Sequence, residues 1–212
     1  MKDIVIVGAG GFGRELTWLI EDINKVASEW NLVGYIDDNK EIINKKIDGY
    51  EVIGDIESLV KMGVVNVALG IGSPKVKESI INRLRGINNI RYPNLIHPST
   101  IISPRAQIGI GNIICAGNVV SINSKIYDYV TINLSCTIGH DVHLFDFVTV
   151  SPGTNISGYV KVGEKSDLGT GSCIIQNVNI GNNSIIGAGS VVIRDIPDNC
   201  TAVGNPAKVI KR

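Results

Sequence analysis

Aromatic residues are scarce in this chain: 5% of 212 residues, against 24 glycines and a hydrophobic share of 44%. Ordinary cores lean on large rings, so a chain without them must pack with aliphatics, which points to a thin, repetitive core. Charge of one sign is also missing. Lys+Arg and Asp+Glu are 20 each, and a split after His97 leaves 12 basic and 13 acidic residues, then 8 and 7. Neither half is a polyelectrolyte, so nothing steers the chain toward nucleic acid or a membrane surface. No apolar run approaches the roughly 18 residues of a membrane span, and "MKDIVIVGAG" breaks into glycines too soon for a signal peptide. The four cysteines (Cys115, Cys136, Cys173, Cys200) contain no CxxC pair. They read as reduced thiols of a cytoplasmic protein, not as a metal site or a disulfide set.

What is present falls into two grammars. Residues 1–98 alternate strands and helices. "DIVIVGAG" is a buried parallel strand ending in glycines. Leu16, Leu19, Ile20, Ile23, Val26 and Ala27 recur at helical spacing. "NLVGYIDDN" and "VVNVALGIGS" are further strands. Ser73 is an N-cap with Pro74 behind it, and Gly86 stops that helix. This is a small βαβ, Rossmann-like domain. Over 99–212 an aliphatic residue falls at every sixth position, from Ile102 to Val192, with no insertion and no miss. A small or β-branched residue usually follows four places later. A period of six fits neither an α-helix nor a hairpin array. It fits a solenoid in which each hexapeptide is one face of a triangular coil, about five coils in all.

Two clusters carry chemistry. Gly8, Gly10 and Gly13 match GxGxxG between a strand and a helix, with Asp37 and Asp38 at the end of the next strand. Glycines let the backbone approach a phosphate, and the helix N-terminus offers unpaired N–H groups. Taken alone, this reads as NAD binding with an aspartate on the ribose hydroxyl. In "GHDVHL", His140 and Asp141 stand outside the two inward positions of the repeat, so both face outward. Histidine suits a base at neutral pH, and a carboxylate fixes its tautomer. A solvated turn histidine is the plain alternative. His143 reads as surface and His97, at the junction of the halves, as structural.

The six-residue repeat, the tail "AVGNPAKVIKR" and "VGAGGFGRE" together resemble the sugar O-acyltransferase, sialic-acid O-acetyltransferase-like family. Its best-understood members are nucleotide-amino-sugar N-acetyltransferases of the bacillosamine and perosamine type. The resemblance implies a left-handed parallel β-helix, a homotrimer with sites between subunits, and acetyl-CoA as co-substrate with no metal. It implies a UDP-, dTDP- or GDP-linked amino sugar held by Gly10, Gly11, Phe12, Gly13, Asp37, Asp38, Gly72, Ser73 and Asn133. His140 would be the general base and Asp141 its orienter, in an "[IV]-x-H-[DE]" stretch. Gly158 would turn its N–H to the thioester carbonyl, with Gly171, Ala188 and Lys208 along the CoA channel. An O-acetyltransferase of sialic acid or another sugar hydroxyl is the alternative. A zinc hydratase needs three converging histidines, and the helical half has two; a non-catalytic scaffold is the third class.

Overall fold

The computed structural model describes residues 1–211. The first apolar run forms β1 (Lys2–Val7), followed by α1 (Gly11–Val26), β2 (Trp30–Ile36), β3 (Lys46–Ile47), β4 (Tyr50–Gly54), a 3₁₀ turn (Ile56–Lys61), β5 (Val65–Leu69), α2 (Pro74–Leu84) and β6 (Ile90–Arg91). The sheet order is β3-β4-β2-β1-β5-β6, parallel except where β3 runs against β4. The chain winds one way from β1 to β2 and the other way from β1 to β5. Its direction reverses beside β1, which opens a crevice at the carboxyl ends of β1 and β5, the usual ligand position of such sheets.

α1 buries Gly13, Leu16, Thr17, Leu19, Ile20 and Ile23. Val26 and Ala27, expected on that face, are exposed; the helix ends there and its last turn overhangs the sheet. Thr17 and the buried Tyr35 share a hydrogen bond between their hydroxyls. Ser73 takes the N-cap position of α2 as expected, yet its side chain makes no capping bond.

The coil starts at β7 (Leu95–Ile96), inside the 1–98 segment. From there two-residue strands stack in parallel on three faces. The first face carries Leu95–Ile96, Ile113–Ile114, Thr131–Ile132, Thr149–Val150, Asp167–Leu168 and Ile185–Ile186, then Thr201–Val203 with Lys208–Lys211 folded back antiparallel. The second runs from Ile101–Ile102 to Val191–Val192 and the third from Gln107–Ile108 to Asn179–Ile180. The inward anchors form one continuous cluster from Ile114 to Ala202. Burial of each aliphatic side chain is worth about 1.5–3 kcal/mol, so stacking replaces the missing rings. Ile102 and Ile108, at the open first coil, are only partly buried. The last coil is shorter: Ile180 pairs with Ile196 and Ile186 with Ala202.

After the first two corners, the coil turns on one left-handed residue per corner. Each sixth residue from 111 to 189 has φ between +54° and +74°. Glycine fills five of these places and Asn, Asp, Ser, Lys or an aromatic the others. The left-handed region costs an L-residue roughly 1–2 kcal/mol, which explains the weight of Gly and Asn here.

The first domain docks on the first face. Leu95, Ile113 and Cys115 share a cluster with α1 and β1, and Tyr129 and Phe147 pack against the cluster under α2. His97 ties the junction to α1: its Nε2 meets Asp22 Oδ2 at 3.1 Å, while Ser99 donates to its Nδ1 from both N–H and Oγ. The Lys25 ammonium, followed by His97, holds Asp22 below its ordinary carboxyl value.

Candidate active site

His140 and Asp141 follow the second-face strand Thr137–Ile138 at the corner before His143–Leu144. The residue at Asp141 is the left-handed one (φ +57°), so the repeat itself aims the carboxylate back at its neighbour. His140 Nδ1 and Asp141 Oδ2 lie 2.9 Å apart, with half of the His140 side chain exposed. That hydrogen bond is the main cause that lowers the Asp141 pKa, and one from Asn123 Nδ2 at 3.3 Å adds to it. With Nδ1–H directed at the carboxylate, the ring's lone pair lies on Nε2.

The ring rests on Gly158, one coil further on. A Cβ at Gly158 would stand 2.4 Å from His140 Cε1 and 2.5 Å from Nε2, so any side chain there displaces the imidazole. Tyr159 stacks edge-on against the ring, centroids 5.0 Å apart at 85°. Tyr159 and Asn123 were not picked out in the sequence, although both lie at the coil spacing of 18 residues from Asp141.

The glycine loop occupies the crevice beside β1. Gly8 (φ +100°) and Gly13 are there for packing: a Cβ on Gly13 would meet Gly8 O at 2.0 Å. A Cβ on Gly10, Gly11 or Gly72 meets nothing within 4 Å, so Gly10 and Gly11 border open space at the start of α1 and Gly72 at the start of α2, and neither helix has an acidic residue in its first turn. Phe12 packs against the domain core. Asp37 takes the Ala9 N–H at 2.9 Å and the Asn39 N–H at 2.9 Å, bracing the loop. Asp38 takes the Ile56 N–H and pairs with Arg83 at 2.5 Å; the guanidinium holds its carboxyl down. Ser73 is exposed.

Asn133 follows the first-face strand Thr131–Ile132, and its Oδ1 accepts the Leu134 N–H at 2.7 Å. Gly171 and Ala188 lie on the same corner as Asn133, and Lys208 sits exposed on the returning strand. One chain therefore brings together His140, Asp141 and Gly158 at one corner, and Asn133, Gly171 and Ala188 at another. It does not join the two. His143, half-buried between Lys125 and Lys161, has its pKa lowered by burial and by those two charges. A cleft of about 880 Å³, lined by Lys2, Glu29 and Arg91 among others, opens at the amino ends of the strands, away from both loops. Among the described residues no group of three or more His, Cys, Asp or Glu gathers as a metal site, and no helix is long and apolar enough to cross a membrane.

Comparison with known proteins agrees with this architecture. Residues 3–84 match the PglD N-terminal domain. A curated relative, UDP-N-acetylbacillosamine N-acetyltransferase of Bacillus subtilis (strain 168), is 35% identical over 120 residues, 55% of this chain and 52% of that protein. The match thus spans about half the length of that relative. Solved structures superpose more fully. A histidine-to-asparagine variant of perosamine N-acetyltransferase from Caulobacter crescentus, in complex with CoA and GDP-perosamine, has a TM-score of 0.89 at 30% identity, over 100% of this chain and 98% of that one. The acetyltransferase domain of PglB from Neisseria gonorrhoeae FA1090, in complex with acetyl coenzyme A, has a TM-score of 0.90 at 32% identity over 99% of both chains. The chain belongs to the sugar O-acyltransferase, sialic acid O-acetyltransferase-like family of hexapeptide-repeat, acetyl-CoA-dependent transferases, together with these nucleotide-amino-sugar N-acetyltransferases.

Proposed function

We propose that the protein transfers the acetyl group of acetyl-CoA to the amine of a nucleotide-linked sugar, a UDP-, dTDP- or GDP-4-amino-dideoxy sugar, by direct attack. The observation that carries this is the His140–Asp141 pair seated on Gly158. The amine attacks the thioester carbonyl carbon as His140 Nε2 takes its proton. Asp141 holds the tautomer and steadies the imidazolium that forms. The Gly158 N–H, which takes no backbone partner among the described residues, supports the oxyanion. Collapse breaks the C–S bond, and the imidazolium returns the proton to the departing CoA thiolate.

The open side of Gly10 and Gly11 suits the pyrophosphate of the sugar nucleotide, held at the α1 N-terminus. The residues for substrate and CoA stand on two corners of the coil, and a second wall excludes water and brings the reactants together. A homotrimer of left-handed coils, with the His140 corner of one protomer facing another protomer, supplies that wall.

The test is CoA release from acetyl-CoA across a panel of UDP-, dTDP- and GDP-linked 3-amino and 4-amino sugars, with sialic acid and free hydroxyl sugars alongside. Turnover is expected only with a nucleotide-linked amine. Turnover only with a free sugar hydroxyl would make the protein an O-acetyltransferase and leave the glycine loop without a ligand.

A further inference from the structure

Among the described residues, Lys77 is the only fully buried lysine or arginine, 1% exposed. It lies at the seam between the domains, one turn into α2. Its Nζ donates to Tyr129 O at 3.0 Å, Thr131 Oγ1 at 3.1 Å and Val148 O at 3.2 Å. An ammonium has three donors, and three acceptors from two successive coils meet them. Its backbone N–H donates to Ser73 O at 3.0 Å, so the same residue closes the turn that begins at the Gly72–Ser73 loop. Thr149 Oγ1 then reaches across from the coil to Gly72 O at 2.7 Å. Asp167, next in the column after Thr131 and Thr149, adds an unlike charge.

An apolar side chain would seal this seam without the cost of burying a charge. What the Lys77 nitrogen adds is direction, since three fixed acceptors around it admit one placement of α2. On the coil side, the strand that supplies Thr131 ends at Asn133, whose N–H donates to Val150 O beside Thr149. Lys77 thus stands between two parts of the candidate substrate site: the Gly72–Ser73 loop of one domain and the Asn133 wall of the other. Nothing in the acetyl-transfer step calls on it directly.

We infer that Lys77 is a positioning residue for the nucleotide-sugar: it fixes the Gly72–Ser73 loop against the coil wall that carries Asn133. This rests on the nucleotide-sugar reading above. Its loss loosens the sugar-nucleotide side of the site and leaves the thioester side as it was.

The experiment uses the full chain with Lys77→Met and, separately, Thr131→Val, which removes one acceptor and keeps the shape. Three quantities are read: calorimetric Kd for UDP, dTDP and GDP, calorimetric Kd for acetyl-CoA, and amide exchange over residues 70–77. The diphosphate that binds the wild type should bind Lys77→Met about tenfold more weakly, as expected when a positioned loop shifts. Acetyl-CoA affinity should stay within about twofold, and exchange should quicken over 70–77 but not in the coil. Equal loss for both ligands would make Lys77 a general scaffold element and overturn the inference, as would unchanged exchange with unchanged affinities. If the wild type binds none of the three diphosphates, the nucleotide reading fails by itself. Exchange then still decides the role of Lys77: faster exchange confined to 70–77 upholds it, and unchanged exchange overturns it. Should Lys77→Met fail to fold, Thr131→Val decides on the same readings.

Discussion

Two corners of the same coil meet the same geometric problem and solve it differently. The second residue after each anchor turns its N–H out of the ladder. At the corner between the third and first faces, a short acid or amide one coil on usually takes it. Ile110 N–H donates to Asp128, Asp128 N–H to Asp146, Glu164 N–H to Asn182 and Asn182 N–H to Asp198, all at 2.8–2.9 Å. At the corner between the second and third faces the same positions hold Ile122, His140, Gly158, Gln176 and Arg194, and no side chain among the described residues caps those N–H groups. The first corner spends its donors on stability and also carries Tyr129, on which α2 rests. The second keeps its donors open next to a histidine. A regular scaffold thus leaves open on one edge the donors that it caps on the other.

The comparison is broken most severely by His140→Ala. Loss of a general base should lower kcat by about 10²–10⁴-fold, with acetyl-CoA affinity kept in calorimetry. A matching collapse of that affinity would make His140 part of the scaffold. The sharper experiment moves the cap from one corner to the other. Gln176→Asp places a short acceptor one coil beyond Gly158, where it can take the Gly158 N–H as Asp146 takes that of Asp128. Turnover should fall roughly 10²-fold, the scale of losing one oxyanion donor, while the melting temperature holds or rises. Undiminished turnover would remove the Gly158 N–H from the mechanism.

The capped corner should respond in stability. Burial pushes the Lys77 amine down to about 7, below its value in the unfolded chain. The unfolded chain therefore binds more protons between pH 7 and the ordinary lysine range, so stability rises with pH from 7 upward, by about 1 kcal/mol from pH 7 to 8. Urea midpoints at several pH values should show this slope in the wild type and lose it in Lys77→Met. Asp167 is the one charge coupled to Lys77, and its raised carboxyl titrates on the acid side, so the slope above pH 7 reports Lys77. The smallest effect is expected for Asp146→Ala, which bares the Asp128 N–H. It should cost about 1 kcal/mol in denaturant unfolding with kcat unchanged. A fall in kcat there would erase the distinction between the corners.

The coil was legible from its period because each anchor must point inward whatever its neighbours do. The His140–Asp141 pair was legible because both residues stand on adjacent outward positions. The partners one coil away were harder to see. Tyr159 and Asn123 touch the pair only because the coils stack, and a tyrosine in a turn carries no signal of its own. Val26 and Ala27 fit the apolar spacing of α1, yet the helix outruns the sheet before they can be buried. Asp37 and Asp38 stand at the end of their strand as expected, but they brace Ala9, Ile56 and Arg83, contacts that only the folded sheet brings within reach.

The sequence alone determined the two architectures and the outward placement of His140 and Asp141, because both follow from local spacing: alternation and helical period in the first domain, six-residue recurrence in the second. The tertiary structure decided what those residues face. Burial of Lys77, the seat of the His140 ring on Gly158, and the open N–H groups of one corner arise from contacts between coils and between domains. Their partners lie 18 to 77 residues apart in the chain, and no local pattern records such contacts.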